Sequence, residues 1–216
     1  MPARRHTRQR VREARQDAYR SLILESAQRV FAQRGYDAVK VQEIADEAGI
    51  ATGTVYAIFD SKQELYRAIH RVNLEELAKR YAEIPGDRDT RDVICDRITV
   101  STRFLIERPD YLRIYLREAA GWGFDASALP RVAADFTDPA LYRRGVEHGE
   151  LVDEDPELLQ SLAMSTGHVI LYHWLKDGMR ESADELVERI RAHTERTLFA
   201  RPLASDPAAA RARARR

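Results

Sequence analysis

The sequence predicts an all-α protein of 216 residues, and three observations carry that reading. Apolar residues recur at helical spacing along nearly the whole chain, and no run alternates strictly between turn signals. Helix-opening signals are frequent. Ser61-Lys62-Gln63-Glu64 and Ser182-Ala183-Asp184-Glu185 have the capping-box pattern, while Asp138-Pro139 and Asp155-Pro156 pair an N-cap with a proline at N1. Gly35, Gly49, Gly149 and Gly178 fall where the periodic stretches stop, as left-handed C′ residues do.

Taken in order, the first helix opens in an arginine-rich stretch, carries Leu24, Ala27, Val30 and Phe31 on one side, and stops at Gly35. The second runs from Val41 to Ala48 through Val41, Ile44, Ala45 and Ala48, spaced i, i+3, i+4, i+7. A short third helix covers about 52–59, and a fourth runs from Ser61 to about Ala82, closed by Pro85-Gly86. Residues 92–107 are amphipathic through Ile94, Ile98, Ser101 and Leu105; Pro109-Asp110 breaks the pattern, which resumes over 111–120. Gly121-Trp122-Gly123 reads as a loop, and 129–136 and 138–148 as two helical pieces. A long helix then reaches Asp177, and a last one runs from Ser182 to about Ala200. The Ala-, Arg- and Pro-rich segment 201–216 reads as a disordered basic tail.

Composition narrows the function. Charged residues at 32% and hydrophobic residues at 44% are ordinary globular values, which exclude a chain disordered throughout. The single cysteine, Cys95, excludes an internal disulfide and a cysteine-clustered zinc site and points to a reduced, cytoplasmic setting. Seven arginines and no apolar core in the first twenty residues are unlike an export signal. The longest run without Asp, Glu, Lys or Arg, 158–175, contains Gln160, Ser161, Ser165, Thr166, His168 and His173, and reads as a buried helix rather than a membrane span. Net charge is zero, but it is +3 over 1–62, −7 over 63–200 and +4 over 201–216. A basic start on an acidic body suits a polyanionic partner.

The informative stretch is 41–62. Two short helices joined by a glycine turn have the helix-turn-helix layout, in which the first crosses the DNA backbone and holds the second in the major groove. Ala45 and Ala48 allow the close crossing, and Val55 and Phe59 anchor the second helix on the core. The expected division is therefore a DNA-binding domain over 1–62 (basic arm 1–15, helix-turn-helix about 41–59), a helical body over 63–200 and the tail.

Gly35-Tyr36, Val41-Gln42-Glu43-Ile44-Ala45-Asp46-Glu47-Ala48-Gly49-Ile50, Gly53-Thr54-Val55-Tyr56 and Phe59-Asp60-Ser61-Lys62-Gln63-Glu64-Leu65 together resemble the DNA-binding domain of the tetracycline-repressor (TetR) family. The resemblance spans about residues 20–66. It implies a homodimer that places two short third helices on double-stranded operator DNA and is released by a small effector held in the C-terminal body. It also implies roles: Tyr56 and Thr54 for phosphate or base contact, Lys62 for phosphate, Gln42 for a base edge, and Gly53 for close backbone approach. This chain departs from the pattern at Lys40, which stands where a capping Thr is usual, at Ala51, where a Ser usually opens the third helix, and at Thr52 and Ala57. Thr52 is expected to cap in place of Ala51, and Ala57 to offer an apolar contact such as a thymine methyl. Arg12 and Arg15 are expected to reach phosphates as part of a flexible arm.

In the body, Phe104, Tyr115, Trp122 and Tyr172 are the expected lining of a site for a mostly apolar effector. Leu159, Ala163, Gly167, Ile170 and Trp174, with Leu186 and Ile190 of the last helix, are the expected dimer seam, burial within one subunit being the alternative. Catalysis finds no constellation. His168 and His173 lie about 140° apart round a helix, Cys95 has no histidine partner, and neither cofactor nor metal is called for. The competing reading is an all-helical small-molecule or partner-binding protein whose helix-turn-helix is only scaffold. A basic, hydroxyl-rich face over 40–62 is the feature expected to separate the two.

Overall fold

The computed structural model describes residues 2–120 and 138–200. Among these residues there are nine α-helices: α1 (Pro2–Arg34), α2 (Val41–Glu47), α3 (Thr52–Tyr56), α4 (Lys62–Ala82), α5 (Thr90–Ile106), α6 (Pro109–Ala120), α7 (Pro139–Glu147), α8 (Pro156–Lys176) and α9 (Ala183–Leu198). One antiparallel bridge, Leu151 to Phe199, is the extent of strand-like pairing there. No helix among them is long and apolar enough to cross a membrane. The readings made for Gly121-Trp122-Gly123, for 129–136 and for the tail 201–216 lie outside the described residues.

The opening signals act as expected, with small differences. Asp138 and Asp155 accept from Leu141 N–H (3.1 Å) and Leu158 N–H (2.9 Å), three residues on. Ser182 and Glu185 form a reciprocal box. At α4, Ser61 Oγ accepts from Glu64 N–H at 3.0 Å, but the Glu64 carboxylate reaches one residue further back, to Asp60 N–H at 2.6 Å. Pro109 opens α6 as its first residue, because a helix start tolerates the missing N–H. The first helix differs most. Residues 2–34 are one continuous helix, about 50 Å long, so the basic segment is a helical rod and not a flexible extension. Gln9 to Glu13 (3.0 Å) and Arg15 to Tyr19 (3.2 Å), both i to i+4, support it from its own surface.

The described chain divides into two compact units. One comprises α1–α3, most of α4 and α6; the other comprises the end of α4, most of α5, and α7–α9. In the first, Ile23, Ala27 and Phe31 of α1 are buried with Ile44, Val55, Phe59 and Leu65. Arg117 of α6 closes the end of α1 by donating from Nη1 to Phe31 O (3.2 Å), which also accepts Gly35 N–H at 2.8 Å, and from Nη2 to Gln33 O (3.3 Å). Gly35 follows at φ +81°, and a Cβ there would lie 3.0 Å from Arg117 Nη1.

In the second unit, Val93 and Ile94 of α5, Leu141 of α7, Leu159 and Ala163 of α8, and Leu198 and Phe199 share one core. Gly145 of α7 is buried because of its neighbours: a Cβ there would meet Thr90 Cγ2 at 2.7 Å and Leu151 Cδ1 at 2.8 Å. The stripe read as a dimer seam is largely this interior. Leu159, Ala163, Trp174, Leu186 and Ile190 are all buried within their own chain, and Trp174 Nε1 donates to Glu181 O at 2.9 Å. Gly167 and Ile170 are half-buried. α8 carries a second apolar face, Leu158, Leu162, Val169 and Tyr172 at i, i+4, i+11 and i+14, which is exposed, Val169 to 55%.

Candidate nucleic-acid interface

The turn between α2 and α3 is set by backbone chemistry. Gly49 sits at φ +65°, a region that disfavours side chains. Its N–H donates to Asp46 O (3.1 Å), and Ile50 N–H donates to Ala45 O (3.0 Å), closing α2 with a 6→1 bond. Val55 and Phe59 point inward, each 1% exposed, and the Arg20 guanidinium of α1 covers the Phe59 ring at 4.6 Å. With α3 fixed by that face, Gly53, Tyr56 and Ala57 are left exposed, Tyr56 to 52%, with Thr52 and Thr54 half-buried at the edges.

Lys40 is the N-cap residue of α2, and an ammonium has no lone pair to accept a cap bond. The Glu43 carboxylate compensates by accepting Lys40 N–H at 2.8 Å. That bond, helped by Arg34, holds the Glu43 carboxyl below the usual carboxylate range. Ala51 is the N-cap of α3 and caps nothing; Thr52 does not take over. Instead Thr52 Oγ1 donates to Gln42 Oε1, while Gln42 Nε2 donates to Asp46 Oδ1 at 2.7 Å. Gln42 and Thr52 thus stand tied together across the motif.

Lys62 is placed differently from a surface phosphate ligand. Its Nζ donates to Tyr36 O (2.8 Å) and Val39 O (3.0 Å) and lies 4.3 Å from the Tyr36 ring centroid. The ammonium therefore pins the 36–39 loop to the start of α4. Tyr36 continues into a run of rings, to Tyr66 at 4.8 Å, then His70 at 4.9 Å, Tyr111 at 5.6 Å and Tyr115 at 6.2 Å.

The expected basic face over 40–62 needs correction. That segment holds Lys40 and Lys62 against Glu43, Asp46, Glu47 and Asp60. Two of the four acids are paired with α1: Glu43 with Arg34, and Glu47 Oε1 with Arg29 Nε at 2.9 Å. The cationic surplus lies in the rod of α1, where Arg10, Arg12 and Arg15 are exposed. The pairing of Arg29 and Arg34 with the motif follows from the α1–α2 packing and carries no short-range signal.

Three of the four expected effector-site residues lie among the described residues. Phe104 is fully buried in the second unit under the Arg80 guanidinium (5.1 Å). Tyr115 is half-buried in the first unit. Tyr172 is 48% exposed on the outer face of α8, which is a surface and not a cavity wall. Trp122 lies outside the described residues.

The three-helix head with its glycine turn has the helix-turn-helix layout that helical DNA-binding domains use. Residues 23–69 match the model of the bacterial regulatory proteins, tetR family. It is 35% identical over 100 residues to the HTH-type transcriptional repressor KstR2 of Rhodococcus jostii (strain RHA1), covering 46% of this chain and 49% of that protein. It is 28% identical over 135 residues to the repressor AcnR of Corynebacterium diphtheriae, covering 62% and 60%. The chain spans about half the length of the curated relatives it matches. The fold is similar to that of the crystal structure of FadR from Bacillus subtilis in complex with stearoyl-CoA, with a TM-score of 0.70 at 18% identity over 81% of this chain and 95% of that one.

Proposed function

We propose that this protein is a ligand-responsive, homodimeric, cytoplasmic DNA-binding regulator of transcription, acting as a repressor that a small effector releases from its operator. The observation that carries the reading is the outward face of α3. A helix held by Val55 and Phe59 presents Gly53, Tyr56 and Ala57 with the tied pair Gln42–Thr52 beside them. Tyr56, Thr54 and Lys40 supply phosphate contacts, Gln42, Thr52 and Ala57 supply base contacts, and Arg12 and Arg15 supply backbone affinity. Lys62 acts on DNA through the loop it fixes, with one ammonium proton left for a phosphate. The KstR2 and AcnR repressors support the regulatory role, and the FadR complex supports a small-molecule ligand. The body, residues 63–200, holds the effector and the dimer contacts.

Two heads are needed because one five-residue helix makes few contacts, and linkage raises the effective concentration of the second. The exposed stripe Leu158, Leu162, Val169 and Tyr172 supplies the apolar surface for that pairing. An effector that binds better to the dimer with its heads displaced shifts the population off DNA in proportion to its differential affinity.

The test is selection of bound genomic fragments by the purified chain, followed by fluorescence anisotropy on the selected duplex. Tyr56→Phe with Lys40→Ala is expected to weaken binding at least tenfold at unchanged thermal stability. Retention of no fragment by the wild type, or equal binding by the double variant, contradicts the reading. A scaffold-only motif gives the second result.

A further inference from the structure

In the second unit, four elements send polar groups to one place at the edge of an apolar core, where the Arg97 and Asp138 side chains remain 29% and 37% exposed. Arg97 of α5 donates from Nη2 to Asp138 Oδ2 at 2.9 Å, and its guanidinium carbon lies 5.5 Å from the centroid of the Tyr81 ring at the end of α4. Its Nε is enclosed and meets no acceptor. Tyr142 of α7 is 8% exposed; burial pushes its phenol well above the ordinary range, within electrostatic reach of Tyr81, Arg97 and Asp138. Gln160 of α8, also buried, accepts the Asp138 N–H at 3.1 Å. Tyr142 belongs to the apolar core with Leu141, Leu159 and Ala163, against which Ile98 packs.

A guanidinium offers five donors in a rigid fork matched to a two-oxygen anion, and here one carboxylate oxygen engages one arm. A buried donor without an acceptor is uncommon in folded chains and marks a place where an acceptor belongs. Asp138 is a divided partner. Its Oδ1 caps α7 by accepting from Leu141 N–H at 3.1 Å, and only Oδ2 turns to Arg97. The internal carboxylate thus stands in for an external one.

We propose that Arg97, flanked by Tyr81 and Tyr142, receives the oxyanion end of a small amphipathic ligand, which displaces Asp138 from the guanidinium. This rests on the reading of the chain as effector-responsive, and it turns the expected apolar effector into an apolar molecule with an anionic end. A neutral or cationic end gains nothing from Arg97. An anionic end keeps the site electrically paired and frees Asp138 Oδ2 at the N-cap of α7.

The test is isothermal titration calorimetry on the full chain without DNA, using decanoate, decyl phosphate and decanol. Decanoate or decyl phosphate is expected to bind at least tenfold tighter than decanol, and the tighter of the two tells whether the anion is a carboxylate or a phosphate. Arg97→Gln is expected to abolish the preference. Asp138→Asn, which keeps an oxygen to cap α7 and removes the competing charge, is expected to tighten the anion at least threefold and leave decanol unchanged. Equal binding of decanol, an anion preference that survives Arg97→Gln, or no binding of either anion at millimolar concentration overturns the proposal. If Arg97→Gln does not fold, Asp138→Asn decides, and no gain in anion affinity overturns it. These readouts involve no DNA, so failure of the regulator reading shows separately, as loss of fragment binding.

Discussion

The two units use charged side chains in different ways. In the first, the cations close to the recognition helix hold the backbone: Lys62 on Tyr36 and Val39, Arg117 on the end of α1, Arg29 and Arg34 on the acids of α2. The positive charge available to a polyanion stands apart, on the rod of α1. In the second, the informative polar groups are the half-buried pair Arg97 and Asp138, and one exposed face of α8 is apolar. The head thus spends its inner cations on its own backbone and acids and leaves Lys40 and the rod of α1 exposed. The body pairs charges at its surface and leaves one face of α8 apolar and exposed.

The strongest way to break that comparison is to exchange the two faces of α8. Leu162→Glu with Val169→Glu is expected to leave thermal stability unchanged, halve the mass seen by sedimentation velocity, and weaken operator binding at least about a hundredfold through loss of linkage. Leu159→Ala, one position from the exposed Leu158, is expected to cost about 2–5 kcal/mol in urea unfolding, because it opens a cavity. If the two variants exchange phenotypes, the assignment of the faces is wrong.

Charge on the rod gives the next effect. Arg10→Gln, Arg12→Gln and Arg15→Gln together are expected to lower the slope of log affinity against log salt by about 0.9 for each phosphate that is no longer neutralised. Arg196→Gln, an exposed arginine of α9, is expected to leave the slope unchanged.

Protonation separates the units at acid pH. Burial of His168 in α8 holds its pKa down to about 4, below its ordinary 6.5. Protons therefore bind the unfolded chain more readily, so stability is full above pH 6.5 and falls as the pH drops toward 4, by about 2–3 kcal/mol for a shift of this size. Replacing His168 with Gln is expected to flatten the pH profile of urea unfolding across that window; an unchanged profile removes His168 as its cause. The smallest effect is at Lys62. Lys62→Met is expected to destabilise the chain by about 1–2 kcal/mol without DNA, since two carbonyls lose a charged donor. Lys40→Met, whose side chain makes no cap bond, is expected to leave folding unchanged and weaken only DNA binding.

The head is legible in the sequence because each of its helices is short and buries one face. Val41, Ile44 and Ala45, the turn at Gly49, and the Val55–Phe59 pair are local signals that nothing distant overrides. Its charges are not legible: that Arg29 and Arg34 neutralise Glu47 and Glu43, and that Lys62 serves the loop, depends on how α1 and α4 meet the motif. In the body, the caps at Asp138, Asp155 and Ser182 are readable for the same local reason. The faces of α8 are not, because a helix apolar on both sides carries no periodic mark of which side is inner. The same limit sets Tyr172 among expected pocket residues and hides Tyr81, Arg97 and Tyr142, since three positions on three helices share no spacing.

Hydroxyl-radical footprinting of a selected fragment tests the central claim, that an α8-paired dimer presents two α3 helices to one duplex. Two protected patches about 10 base pairs apart, centre to centre, are expected on one side of the DNA, and both should vanish in the Leu162→Glu, Val169→Glu variant. One patch only, or the same two patches from that variant as a monomer, would contradict the account.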